Sequence, residues 1–281
     1  MPVLGVLISL SLNTSGILVA NILPDPDKAL FWITEIETLS QSRLNPTRLE
    51  KLIGRLCFAV YAAWGPQARA YLTPLYTFFH HSQHQPSNAI AHCLAWWRSR
   101  LTGTTSRLIC FEAFHLPPFI AYSDAEGSGG LGWFLTDSSC TQSAIWAGGS
   151  VPPHFLPLLA PRKTQIHALE MSALISLLQS QGSRLRGRRL IAFVDNQSAL
   201  GILRKGSCNK ASDLSSLAAY AHDLCRGLHI ELFLYWVPSA LNIADGPSRG
   251  QPCPLGSPCR LLLHVHQLQT FLTDPALAFK R

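Results

Sequence analysis

The chain has 281 residues, 47% of them hydrophobic and 14% charged, with a net charge of +7 and a pI of about 9.1. That much apolar material excludes an intrinsically disordered chain and suits one large or two ordinary domains. The positive balance favours an anionic partner, nucleic acid first, and says nothing about fold.

The first 23 residues, MPVLGVLISLSLNTSGILVANIL, are apolar but lack the basic start of an export signal. Asn13-Thr14-Ser15-Gly16 interrupts them well short of the roughly 20 apolar residues that a bilayer span needs. Two short runs around a polar, glycine-ended turn predict a β-hairpin over 1–24, like sheet torn from something larger, in a chain without a membrane partner. From Asp25 the period becomes helical. Asp25-Pro26 supplies a cap and a first-turn proline, and Thr47-x-x-Glu50 makes a capping box ahead of LEKLIGRLCFAVYAAW. Gly65-Pro66 stops that helix, a further one is predicted over about 66–82, and Ser87 is placed to cap NAIAHCLAWWRSRL. Residues 25–112 thus read as a helical module. His80, His81 and His84 cluster at a polar helix end, with no second group to complete a metal site.

After Pro117-Pro118 the pattern changes again. PFIAYSDA, GLGWFLTD and SAIWAGGS predict an antiparallel meander. A helix over 164–181, a strand in RRLIAFVD, helices in NQSALGILRKG and ASDLSSLAAYAHDLCRG, and a last strand in HIELFLYWVPS follow in order. Strands reached through helices pair in parallel, so 118–250 is a mixed α/β domain and 251–281 a tail. Trp133 and Trp146 belong to the meander's core. The eight cysteines, Cys57, Cys93, Cys110, Cys140, Cys208, Cys225, Cys253 and Cys259, contain no C-x-x-C pair and suit reduced thiols inside a cell. Cys253, Cys259, His264 and His266 match no standard zinc spacing.

Four acids in the second half stand out by position. Asp124 ends the first strand of the meander, and Glu170 sits on the apolar stripe Ile166, Glu170, Ala173, Leu174, Leu177. Asp195 ends LIAFV, where the carboxyl ends of parallel strands open to ligands. Asp245, in NIADGPSR, follows the last strand. Singly these read as turn formers, caps or a boundary residue; together they predict one cleft edge. Converging carboxylates repel unless cations neutralise them, and hard oxygen donors select Mg²⁺ or Mn²⁺. Two such ions about 4 Å apart suit phosphodiester hydrolysis. The glycines after Asp124 give a tight turn into the next strand.

These segments, SDAEGSGGLGWFL, IHALEMSAL, FVDNQSALGILRKGS and YWVPSALNIADGPSR, resemble the four catalytic segments of type 1 ribonuclease H domains, closest to those in reverse transcriptases of DIRS-like and gypsy-like retroelements. The resemblance covers about 118–250. It implies an RNase H-like, mixed five-stranded sheet with flanking helices, and an endonuclease that cuts the RNA strand of RNA/DNA hybrids with two Mg²⁺, for which Mn²⁺ can substitute. Asp124, Glu170, Asp195 and Asp245 match the family's D-E-D-D metal-binding set. LGVLISL, LEKLIGRLCFAV and GPQARAYLTPLY resemble the last palm strands and the thumb and connection helices of the same polyproteins. No polymerase Asp-Asp segment lies upstream, so the resemblance implies a truncated reverse transcriptase, without DNA synthesis, acting in cytoplasm or nucleus and partnered by the missing polymerase portion.

Two departures stand. The loop before the last Asp, PSALN at 238–242, lacks the histidine of cellular ribonucleases H. Asp124-x-Glu126 also occurs in proofreading-type 3′–5′ exonucleases of the same fold, but these need a His before the final Asp, so Glu126 reads as a solvated neighbour. A catalytically inactive nucleic-acid-binding remnant is the other alternative. For substrate contacts, Arg184, Arg186, Arg188, Arg189, Arg204, Lys205 and Lys210 form a basic cluster, read as a phosphate track beside the acids. Asn196, Gln197, Asn242 and Arg249 are further candidates, placed to touch sugar or base edges, with the 2′-OH marking the RNA strand.

Overall fold

The computed structural model describes residues 2–3, 6–12, 16–41, 45–59, 63–80, 88–103, 107–111 and 115–277. The protein is α/β and divides into two compact units. One comprises Met1–Phe111, Gly206–Ala219 and Phe271–Arg281; the other Glu112–Lys205 and Tyr220–Thr270. The hairpin and the helical module therefore share a unit, and the predicted tail is divided between the two.

In the first unit, β1 (Pro2–Val3), β2 (Val6–Leu12), β3 (Leu18–Pro24) and β4 (Arg107–Cys110) form an antiparallel sheet in that order. The predicted hairpin is β2–β3, closing at Leu12 opposite Leu18. Residues 13–15 of its turn lie outside the described residues. β4 lies within the stretch whose sequence predicts a helical module; the four residues RLIC are too few to show a period. Among the described residues the hairpin is followed by helices α1 (Pro26–Gln41), α2 (Pro46–Ala59), α3 (Pro66–Ala70), α4 (Thr73–His80) and α5 (Asn88–Thr102). Asp25 caps α1, its Oδ1 accepting from the amides of Asp27 and Lys28 at 3.0 and 3.4 Å. The α2 cap differs from the capping box read in the sequence. Asn45 accepts from the Arg48 amide at 3.2 Å, and Pro46 takes the first helical position, where no N–H is needed. The single helix predicted over 66–82 is two, because Pro74 offers no amide to carry the ladder past Tyr71-Leu72. Ser87, His81 and His84 lie outside the described residues.

The helices close on Trp32, Ile36, Leu52, Trp64, Leu75 and Trp97. Trp64 and Trp97 meet edge to face at 5.7 Å. Residues 274–277 belong to this core: the Tyr71 hydroxyl donates to Asp274 Oδ2 at 2.9 Å, and Ala276 and Leu277 are buried.

The second unit holds a six-stranded mixed sheet. β5 (Phe119–Ala125), β6 (Gly130–Asp137) and β7 (Cys140–Ser150) form the predicted antiparallel meander. β8 (Arg189–Val194) runs parallel to β5, and β9 (Glu231–Trp236) parallel to β8. A two-residue β10 (Ser257–Pro258), unpredicted, pairs with β7, giving the order β10-β7-β6-β5-β8-β9. Helix α6 (Ile166–Leu185) packs on β5 and β6. It is buried continuously from Ala168 to Leu178, more than the single stripe read in the sequence, and its serines are satisfied within the helix by Ser172→Ala168 O and Ser176→Ala173 O bonds of 2.7 and 2.9 Å. Helix α7 (Gln197–Lys205) and the short helix α9 (Asp245–Ser248) belong to this unit, while α8 (Ser212–Gly227) and α10 (Val265–Leu272) each have residues in both. Trp133 is fully buried, and Trp146 packs with Phe134, Ala144 and Cys253. Among the described residues no helix is long and apolar enough to cross a membrane, and the described cysteines of known state are free.

Candidate metal centre

Parallel pairing brings the first two acids together. Ser123 lies opposite Val194, so Asp124 and Asp195 leave adjacent strands side by side at their carboxyl ends. Asp195 is not spent as a cap. Asn196 caps α7, its Oδ1 accepting from the amides of Ser198 and Ala199 at 3.1 and 3.0 Å. The Asp195 carbonyl is fixed by the Trp236 indole N–H at 2.9 Å. From α6, Glu170 projects to the same place: one oxygen each of Asp124, Glu170 and Asp195 lies within 4.8 Å of the others.

Two of the three acids are buried. Asp124 and Glu170 are each 4% exposed, and Glu170 Oε2 has no hydrogen-bond partner. An unpaired buried carboxylate is among the costliest groups a fold can hold. Burial, reinforced by the negative charges of Asp124 and Asp195, pushes the Glu170 carboxyl up to about 9 despite a bond from the Ala125 amide. Burial also raises Asp124 to about 6; Asp195 and Asp245 add to the rise, while the Ser248 hydroxyl and Arg249 oppose it. Such a group is stabilised by a proton or by a cation. With only carboxylate oxygens as donors, the site fits a hard divalent ion such as Mg²⁺.

The fourth acid stands apart from the other three. Asp245 is close enough to raise the Asp124 pKa, but its carboxylate is not in the three-residue group. It begins α9, and its Oδ1 accepts from Nε and Nη2 of Arg249, both at 2.9 Å, one helical turn on. Arg249, read as a substrate contact, is thus ion-paired, although exposed.

Close packing explains the glycines better than the turn does. Gly129 has φ +106 and serves the turn, but Gly130, Gly132 and Gly148 lie beneath residues 244–248. A Cβ on Gly132 would come within 2.7 Å of Ala244 O and 2.9 Å of Pro247 C, and Cβ atoms on Gly130 and Gly148 would overlap the Ser248 and Pro247 carbonyls. The missing side chains let α9 settle on β6 and β7, next to Asp124. Glu126 lies in the 126–129 turn, accepting from Ser128 Oγ at 2.8 Å, outside the acidic group.

The substrate candidates separate. Asn242 is buried, its amide donating to Ser123 O and Asp124 Oδ1 at 3.1 and 3.3 Å; it supports the site instead of facing a ligand. Asn196 is occupied as a cap, whereas Gln197 and Lys205 are exposed. Arg204 donates to Leu234 O through Nε and Nη2 at 3.0 and 2.6 Å. Arg184, Arg186, Arg188 and Arg189 are not beside the acids. They precede or begin β8, whose far end carries Asp195, roughly 20 Å away along the strand at about 3.3 Å per residue. Three of them are engaged with the protein, Arg184 with Ser143 O, Arg188 with Pro117 O and Asp137, and Arg189 with Leu116 O. Arg186 is exposed. Cys253, Cys259, His264 and His266 form no metal-ligand group among the described residues.

The sequence shows Ser248 only as part of N-x-A-D-x-x-S-R. Its bond to Asp124 Oδ2 appears in the structure alone. No protein-family model matches the chain, and no curated protein matches it.

Proposed function

We propose that the protein is a metal-dependent nuclease of the ribonuclease H type, cutting the RNA strand of RNA/DNA hybrids in an intracellular compartment. The observation that carries this reading is the meeting of two buried acids, Asp124 and Glu170, with half-buried Asp195 at the carboxyl ends of β5 and β8. The meander followed by two parallel strands supports the RNase H-like fold. The three carboxylates would hold Mg²⁺ or Mn²⁺. When bound, divalent ions supply charge neutralisation and water activation for attack at phosphorus. Glu170 and Asp124, kept from solvent, would concentrate negative charge on a bound cation. Asp195, half-buried and next to exposed Gln197, faces the side from which a hybrid approaches. Exposed Lys205 and Arg249 are candidates for backbone phosphates.

The test is cleavage of labelled hybrid in Mg²⁺ by the full chain, with duplex DNA as control. Wild type cuts the RNA strand only, and Asp195→Asn stops it; equal cutting by both would remove the assignment. A second reading is favoured by the Asp245–Arg249 ion pair, which leaves the fourth acid outside the group: a nucleic-acid binder without catalysis. It predicts hybrid binding, with no cleavage at any Mg²⁺ or Mn²⁺ concentration.

A further inference from the structure

We propose that Ser248 is a positioning residue that, with Asn242, clamps the Asp124 carboxylate in the orientation needed to share a cation with Glu170 and Asp195; this rests on the metal-dependent reading above. Asp124 is buried, and each of its oxygens has a donor from the same short segment. Asn242 Nδ2 lies 3.3 Å from Oδ1, and the Ser248 hydroxyl bonds Oδ2. A carboxylate oxygen has two lone-pair directions, so one on each oxygen is taken and one remains.

The clamp is rigid before any ligand arrives. Asn242 is held by its second bond, to Ser123 O, and by accepting the Ala244 amide at 3.2 Å. The Ser248 backbone rests against Gly130 and Gly132, where no side chain intervenes. The donors therefore need no ordering when a cation binds. The Ser248 proton has a competing acceptor, Asp245 O at 2.8 Å, but a bond to a carboxylate is the stronger of the two. Because the clamping segment also carries Asp245, it ties the position of the fourth acid to that of the first.

The probe is Mn²⁺ alone, added to the full-length protein without nucleic acid and followed by electron paramagnetic resonance. Ser248→Ala is expected to bind Mn²⁺ roughly ten- to a hundred-fold more weakly, the usual effect of losing a group that orients a metal ligand. Ser248→Cys, which keeps a weaker donor, falls between. Both should melt cooperatively, and in hybrid cleavage both should lose kcat at half-saturating Mg²⁺ with KM for hybrid little changed. Unaltered Mn²⁺ affinity in Ser248→Ala overturns the clamp. So does loss of cooperative melting in both variants, which would reduce Ser248 to packing. Should wild type bind Mn²⁺ in a Ser248-dependent way yet leave hybrid intact, the clamp stands and the nuclease reading falls. A wild type that takes up no Mn²⁺ ends both.

Discussion

The two ends of β5 and β8 carry opposite charges and treat them differently. At the amino ends three of the four arginines are engaged with the protein. Arg184 and Arg188 lie over the Phe119 ring at 5.3 and 4.6 Å, and Arg188 pairs with Asp137 at 3.2 Å. The Asp137 carboxyl is correspondingly held below its ordinary range, first by Ser139 and then by Arg188. At the carboxyl ends less is spent: among the described residues Glu170 Oε2 is buried without a partner, and Arg249, whose charge acts on Asp124, is itself paired with Asp245. Charge that a fold neutralises internally is architecture; a buried carboxylate oxygen left unpaired marks a candidate site.

The largest expected effect comes from removing that unpaired carboxylate. Glu170→Gln keeps shape and burial but takes away a metal donor. Hybrid cleavage should fall roughly a thousandfold or more, since cation assistance is worth several kcal/mol in the transition state. In EDTA at pH 8 the same variant should melt no lower than wild type, and higher if the buried charge strains the fold. A variant that melts lower while still cutting hybrid would make the acidic end architecture as well.

Proton and cation compete at this end, which fixes a pH dependence. Glu170 is raised from 4.5 to about 9 and Asp124 from 3.8 to about 6, so the native state favours the protonated forms. Their contribution to stability in metal-free protein is complete below the unfolded values. It is lost as pH rises, for Asp124 through about 6 and for Glu170 through about 9. Melting temperature in EDTA should therefore decline between pH 5 and 9, and the increment given by Mg²⁺ should grow across the same window. A Mg²⁺ increment independent of pH would place the ion elsewhere.

What the sequence revealed and what it hid follow from the range of each interaction. Element identity in the second unit was readable because it is local: alternation in PFIAYSDA and helical period in IHALEMSALISLL. Asp124, Glu170 and Asp195 could be brought together on paper, since two lie at strand ends and one on a helix that must cover the sheet. Asp245 could not be resolved, because its choice between the acids and Arg249 depends on the angle at which four residues of α9 leave the loop. Likewise the arginines before β8 looked like neighbours of Asp195 because seven positions separate Arg188 from it in sequence. A strand converts those positions into a length that spans the sheet. β4 and β10 are too short for any period, and only pairing defines them.

Space is reserved at the acidic end by omission of side chains, and Gly132→Ala tests this. Its Cβ would meet backbone on three sides, so α9 must lift or β6 must bend. A cost of about 1–3 kcal/mol in denaturant unfolding is expected, as for overpacked cores, with weakened Mn²⁺ binding because Asn242 and Ser248 move with α9. Gly127→Ala, in a turn where nothing lies within 4 Å of the added carbon, should leave both quantities nearly unchanged.

The smallest expected effect belongs to the basic end. If its arginines are architecture, Arg184→Ala with Arg186→Ala should alter hybrid affinity by less than about two-fold and leave the slope of log K against log salt the same within about one unit, the contribution of one phosphate contact. Fluorescence anisotropy across a salt series measures both. Arg188→Ala should instead appear in stability, at about 1 kcal/mol, because it removes the bonds to Asp137 Oδ2 and the Pro117 carbonyl while Asp137 keeps its bonds from Ser139. A tenfold loss of hybrid affinity in the Arg184/Arg186 variant would mean that a hybrid gripped at the acids extends across the whole sheet to its far end. The arginines would then serve both the fold and the substrate, and internal pairing would no longer separate architecture from site in this protein.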